Sequence, residues 1–273
     1  MSPLLVRRIC FTGGLLVLSV ITIFGWWLLL AALRPAAIYS GLLLFAIVLA
    51  LTFFNARKKL PFLPLIRAAV WLQVHIYAGW FALLVFLLHI QFRFPRGPLE
   101  LTLALVFSIV MLSGILGLYI SREIPPRMAR SGEALVYERI PALRLHIQHE
   151  VEALVRLAEK ETDSSTLGDF YVRYLRNFFV RIPSPLTALA AADRSLHEPL
   201  AEFNALDRYL NEREKTIANE IRDWMETKQN LDFQYAAQRL LKLWLFVHIP
   251  FTYSLLVLGF AHGIIATLYA GRW

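Results

Sequence analysis

Five long apolar runs govern what this chain can become. Phe11 to Leu33 holds no charged residue, and Ala36–Asn55, Ala68–Phe92, Leu101–Ile120 and Leu240–Ala270 follow it. A helix needs roughly 17–25 apolar residues to cross the hydrocarbon of a bilayer, so each run is long enough. Inside lipid, backbone polar groups must be satisfied within the segment itself, which leaves helices as the form for runs of this kind. The expected fold is therefore all-α: a polytopic membrane helical bundle of five spans with a helical insertion between spans four and five. In residue terms, 1–120 supply four transmembrane helices, 121–239 the insertion, and 240–273 the fifth transmembrane helix.

Charge is distributed as a membrane protein distributes it. The net charge is +8, yet every Asp and Glu except Glu100 lies between Glu123 and Asp232. The excess positive charge sits in short loops: Arg7 and Arg8, then Arg57, Lys58, Lys59 and Arg67, then Arg122, Arg127 and Arg130. These clusters share one side if the chain weaves in order. The opposite side has Arg34, Arg93, Arg96 and Arg272. The positive-inside rule then predicts a cytoplasmic N-terminus and insertion and an outside C-terminus, in a bacterial-type inner membrane. The basic balance reports topology and gives no reason to expect nucleic-acid binding. A single cysteine, Cys10, excludes an internal disulfide, a self-contained iron–sulfur cluster and Cys-x-x-Cys-His haem attachment.

The insertion reads as helices. Ile147, Val151, Leu154, Val155 and Ala158 follow helical spacing after Pro141. Phe170, Tyr171, Tyr174, Leu175 and Phe178 form a second stripe, opened by Thr166-Leu-Gly-Asp169 as a capping box. Pro183 and Pro185 interrupt the chain, and Leu206, Leu210, Ile217, Ile221 and Trp224 suggest a long helix running on into span five. No Gly-rich dinucleotide fingerprint or Walker loop occurs.

Two spans carry paired histidines. His75 and His89 lie fourteen residues apart in span three, and His248 and His262 are spaced identically in span five. Fourteen residues of helix advance about 21 Å and return to nearly the same face. Each helix thus presents two imidazoles in one stripe, and the predicted topology makes the two helices parallel. His75 is then level with His248, and His89 with His262. Ionisable groups inside a bilayer are functional candidates by default. Two imidazoles can close both axial positions of a haem iron, and the flat apolar macrocycle packs between helices without polar walls. Two bis-histidine haem b groups are the expected cofactors, with His75 and His248 as metal ligands of one and His89 and His262 of the other. Gly79, Gly259 and Gly263 lie near these ligands and suit close approach, whereas Gly114 and Gly117 read as ordinary helix packing.

Arg93 and Arg96 fall one and two turns beyond His89, on the outer side, Arg67 lies below His75, and Lys242 lies below His248. They are candidate cofactor-binding partners of haem propionates. Flanking Arg and Lys also anchor spans in most membrane proteins, which is the better-supported reading. His146 and His149 beside Glu150 lack a third ligand and read as a solvated face. Glu100 suits the first turn of span four, where a carboxylate meets the helix dipole.

The His-x13-His pairs resemble those of the membrane dihaem b-type cytochromes. The cytochrome b of quinol–cytochrome c oxidoreductases carries two such pairs on parallel helices, and ferric-reductase and NADPH-oxidase membrane domains place theirs on spans three and five, as here. The resemblance implies haem ligation at His75, His89, His248 and His262 and electron carriage across the membrane. Redox partner subunits and the quinone pool are the expected partners. A histidine-lined divalent-metal transporter and a non-redox membrane scaffold are the rival classes. Departures are five spans instead of the six usual in ferric reductases, and no Pro-Glu-Trp-Tyr motif.

Overall fold

The structure, a computed structural model, describes residues 3–53, 68–130, 135–184 and 194–269. Its helices are α1 (Pro3–Ala31), α2 (Ala36–Thr52), α3 (Ala68–His89), α4 (Pro98–Arg130), α5 (Ile140–Thr162), α6 (Thr166–Phe170), α7 (Arg176–Val180), α8 (Arg194–Leu206) and α9 (Glu212–Tyr269). A π-helical turn, Tyr171–Leu175, joins α6 to α7, and no strand occurs among the described residues. The chain forms two compact units: Met1–Leu118 with Trp244–Trp273, and Tyr119–Leu243. α4 and α9 contribute residues to both.

Among the described residues, four helical segments are long and apolar enough to cross a membrane: Leu5–Ala31, Ala69–His89, Pro98–Ala129 and Glu212–Tyr269. α2 is apolar throughout but has 17 residues, the short end of what spans a bilayer. The expected second span reached Asn55, which lies outside the described residues. The described residues are helical throughout their regular structure, and several of the helices are long and apolar enough to span a membrane, the pattern of an integral membrane protein.

The first unit turns apolar side chains outward. Leu16, Val20, Ile21 and Phe24 on α1 and Val257 and Leu268 on α9 are more than half exposed. Water would penalise that surface, while lipid solvates it. Inside, Phe86 of α3 stacks on Phe107 of α4 at 4.1 Å between centroids. Val48, Ala82 and Leu255 pack in the same cluster. α1 meets α3 through Phe11 stacked on Tyr77 at 5.5 Å, with Thr12 Oγ1 and the Tyr77 hydroxyl 3.1 Å apart.

α3 stops at His89, short of the predicted Phe92. Gln91 and Phe92 adopt left-handed φ values of 53° and 56°, and the Phe92 N–H donates back to the Leu87 carbonyl at 3.1 Å. This backward bond caps the final turn, and Pro95 cannot resume the helix. Arg93 and Arg96 therefore sit on a reversing loop and not, as expected, one and two turns further along α3.

In the second unit, α5 buries Ile140, Ile147, Val151, Val155 and Ala158, with Leu154 packed partly against them. Asp163, at φ 53°, ends it. The next stripe departs from its expected register. Phe170, Tyr171 and Leu175 are buried, but Tyr174 is exposed, and Phe179 is fully in the core while Phe178 packs against it partly buried. The π turn inserts an extra residue and rotates the following face. The Thr166–Asp169 box does not form; the Thr166 N–H donates to Ser164 Oγ at 3.4 Å. Burial and the Glu152 carboxylate push the Tyr171 phenol up to about 12, so it stays protonated and donates to Glu152 at 3.2 Å.

α9 opens with a reciprocal cap. The Glu214 N–H donates to Asn211 Oδ1 at 2.8 Å, and the Asn211 N–H donates to Glu214 Oε2 at 2.9 Å. Two first-turn donors are satisfied at once. Farther along, Asp232 is buried between two cations. Arg144 Nε lies 3.0 Å from one carboxylate oxygen, and Lys228 Nζ pairs with the other. The Arg181 carbonyl accepts from both, at 2.7 Å from Arg144 and 3.2 Å from Lys228.

Candidate functional site

The four spaced histidines all fall in the first unit, two on α3 and two on α9. His89 and His262 face each other with ring centroids 6.2 Å apart and planes crossed at 81°. His75 on α3 and His248 on α9 each lie fourteen residues before the members of that pair. Two imidazoles on opposite sides of one metal, each bonded at about 2.0 Å with its centroid about 1.2 Å behind the nitrogen, would have centroids about 6.4 Å apart. The His89–His262 spacing matches that requirement.

Hydrogen bonds fix which nitrogen of each ring is available. His89 Nδ1 lies 3.0 Å from the Ala37 carbonyl, which can only accept, so Nδ1 carries the proton. Ser40 Oγ approaches the same nitrogen at 3.5 Å and sends its own proton to the Ala36 carbonyl at 2.8 Å. His248 Nδ1 lies 2.8 Å from Ser113 Oγ. That hydroxyl donates to the Val110 carbonyl at 2.8 Å, so towards the imidazole it accepts. Both rings thus hold their proton on Nδ1 and keep the Nε2 lone pair for a metal. A ligating histidine usually gives its second N–H to such an acceptor, which orients the ring and raises its basicity.

Small residues make room for these rings. A Cβ on Gly41 of α2 would lie 2.9 Å from His89 Cε1, so any larger residue there would push the imidazole from its present place. On α4, Gly117 lets the Trp244 indole lie directly against the backbone, and a Cβ on Gly114 would sit 3.6 Å from His248 Cε1. Trp244 stacks on His248 at 5.6 Å and 26° and donates from Nε1 to the Ser113 carbonyl at 2.7 Å. Gly114 and Gly117 do serve helix packing, but what they pack is this ring pair. At Gly79 and Gly263 a Cβ would meet nothing within 4 Å, while at Gly259 it would touch Phe45 at 3.6 Å.

A cavity of about 640 Å³ opens among α2, α3, α4 and α9 beside the His89–His262 pair. Its walls are mainly apolar, including Phe45, Phe86, Phe107 and Leu255, and its polar lining includes Arg93 and Glu100. The volume lies within the roughly 300–1,000 Å³ of pockets that enclose small molecules and cofactors. Glu100 Oε2 accepts the Gly97 N–H at 2.8 Å and caps α4, as its place in the first turn suggested.

The basic candidates divide. Arg93 lines the cavity, Arg96 is exposed and does not, and Arg67 lies outside the described residues. Lys242 is committed in the second unit, donating to Glu138 at 2.9 Å and lying 3.8 Å over the Tyr137 ring. His146 and Glu150 form a solvated pair at 3.7 Å, as their helix face predicted.

Sequence reasoning missed Ala37, Ser40, Gly41, Ser113 and Trp244. Trp244, four residues before His248, was legible as a same-face neighbour. The α2 and α4 partners carry no signal until those helices are docked. Among the described residues, no three His, Cys, Asp or Glu side chains gather as a metal site. No family model, curated protein or solved structure matches the chain.

Proposed function

We propose that this chain is a dihaem b-type membrane cytochrome subunit that carries electrons across the membrane between the quinone pool and a redox partner. The observation that carries the reading is the His89–His262 pair, 6.2 Å apart at an apolar cavity and with His89 protonated on Nδ1. His89, which keeps its Nε2 lone pair available, and His262 would hold the iron of a haem b whose porphyrin supplies the remaining ligands. A protein-only zinc site needs three or four ligands at one point, so the same pair suits a transporter poorly.

Haem b, when bound, supplies one-electron chemistry. His75 and His248 would hold one group, on the cytoplasmic side, and His89 and His262 the other, on the outer side; two histidines for each iron would favour electron transfer over oxygen binding. Arg93 at the cavity wall would pair with a propionate. The ligand pairs are offset by about 21 Å along the helices. One charge moved fully across the membrane is worth about 2.3 kcal/mol per 100 mV. The second unit serves as a docking surface for redox partner subunits.

The test is a visible spectrum of the purified protein. Dithionite should produce a sharp α band of b type, with two haems per chain by pyridine haemochrome. Stoichiometric zinc without that band would move the function to metal transport, and neither would leave a scaffold. Orientation is tested apart from this. A reporter fused after Trp273 should register outside the cytoplasm, and a cytoplasmic signal would exchange the inner and outer sites.

A further inference from the structure

We propose that Ser113 is a positioning residue for His248, and that its hydroxyl sets the reduction potential of the haem held by His75 and His248. The inference rests on the dihaem reading and deepens it, because it assigns the two centres different second contacts.

Ser113 grips the His248 region twice. Its Oγ accepts from His248 Nδ1 at 2.8 Å while donating to the Val110 carbonyl at 2.8 Å. Its carbonyl accepts the Trp244 indole N–H at 2.7 Å, and that indole stacks on the same imidazole. Ser113 is itself buried, at 9% exposure, so water is poorly placed to replace the hydroxyl. The side chain selects the tautomer, and the backbone holds the plate against which the ring lies.

The other centre is anchored differently. His89 donates to the Ala37 carbonyl at 3.0 Å, a group no side-chain substitution removes. Ser40 stands off at 3.5 Å and directs its proton to Ala36. One ligand therefore depends on a removable hydroxyl and the other on the backbone. An accepted Nδ1 proton makes Nε2 more electron-rich and favours ferric iron. Losing the acceptor favours ferrous iron and moves the midpoint to more positive potential.

The experiment is a redox titration of the purified holoprotein, following the α band and the low-spin electron paramagnetic resonance of each centre. Ser113→Ala should keep two haems per chain and shift one midpoint positively. The expected size is about tenfold in the ferrous-to-ferric ratio at fixed potential, which is about 59 mV for one electron. The second midpoint should not move. Ser113→Thr, which keeps an acceptor oxygen, should restore the wild-type value. Ser113→Cys, with a weak sulfur acceptor, should shift the same centre by less. Ser40→Ala should leave both midpoints in place. Unchanged midpoints and resonance signals in Ser113→Ala, an equal shift in Ser40→Ala, or failure of Ser113→Thr to restore the value would each overturn the proposal. A wild-type preparation without a b-type α band would instead overturn the dihaem reading beneath it.

Discussion

On the proposed dihaem function, replacing His89 with alanine should lower the haem content of the purified protein from two groups per chain to one, and His262→Ala should do the same. The magnitude follows from what an axial bond contributes. Removing only an outer partner of a metal ligand costs about 10–100-fold in affinity, so removing the ligand itself costs more, and the affected site empties at stoichiometric haem. The ring also fills a slot shaped for it, since Gly41 leaves space that His89 occupies. The other site is offset by about 21 Å along the helix, beyond the roughly 7–10 Å within which substitutions usually couple. It should keep its haem and its midpoint. Combination decides the pairing: His89→Ala with His262→Ala should lose no more than either alone, because both act on one site. His89→Ala with His75→Ala should lose both groups. Pyridine haemochrome on matched preparations reads all of these, with circular dichroism as the check that the helices persist. Two haems retained in either single variant, or both lost, would refute the assignment of ligands to sites.

Identical fourteen-residue spacings put His75 with His248 and His89 with His262 once the loop charges made spans three and five parallel, and the His89 and His262 rings lie 6.2 Å apart between centroids. Periodicity also revealed the α5 core face, because an uninterrupted helix keeps its 3.6-residue repeat. It failed at Tyr174, where one π turn changes the repeat, and missed Phe179, which is buried more deeply than Phe178. It failed again beyond His89, where apolar composition continues through Phe92 although two left-handed residues turn the chain. Hydrophobicity measures what lipid tolerates and does not mark where a helix stops. The contacts around the site were illegible for another reason. Ala37, Gly41 and Ser113 matter only through the helices they face, and nothing local to them encodes that meeting.

Asp232→Asn should destabilise the second unit by about 3–5 kcal/mol, the range measured when one partner is removed from a buried ion pair. The sign follows from counting charge. Asp232 is the carboxylate between Arg144 and Lys228, whose side chains are 9% and 3% exposed. Neutralising it leaves two cations facing each other, with the Arg181 carbonyl accepting from both. That carbonyl dipole opposes two full charges weakly, and the Phe178 ring, 4.5 Å below Lys228 Nζ, adds a cation–π contact that is smaller than the lost ion pair. Restoring the balance should therefore restore stability. Asp232→Asn with Lys228→Met should recover much of the loss, because methionine fills the lysine stem's volume without a charge. The exposed pair of Arg213 and Glu161 at 2.6 Å provides the control, since solvated ion pairs contribute little; Glu161→Gln should leave the unit unchanged. Amide exchange of the intact protein in detergent can localise the effect to peptides of α5. With about 1.4 kcal/mol for each factor of ten, exchange limited by unfolding of the unit should accelerate by roughly 100-fold or more. Equal exchange in Asp232→Asn and Glu161→Gln would mean that the buried cluster contributes no more than a surface pair, and a double variant no better than Asp232→Asn would mean that uncompensated charge is not the cause.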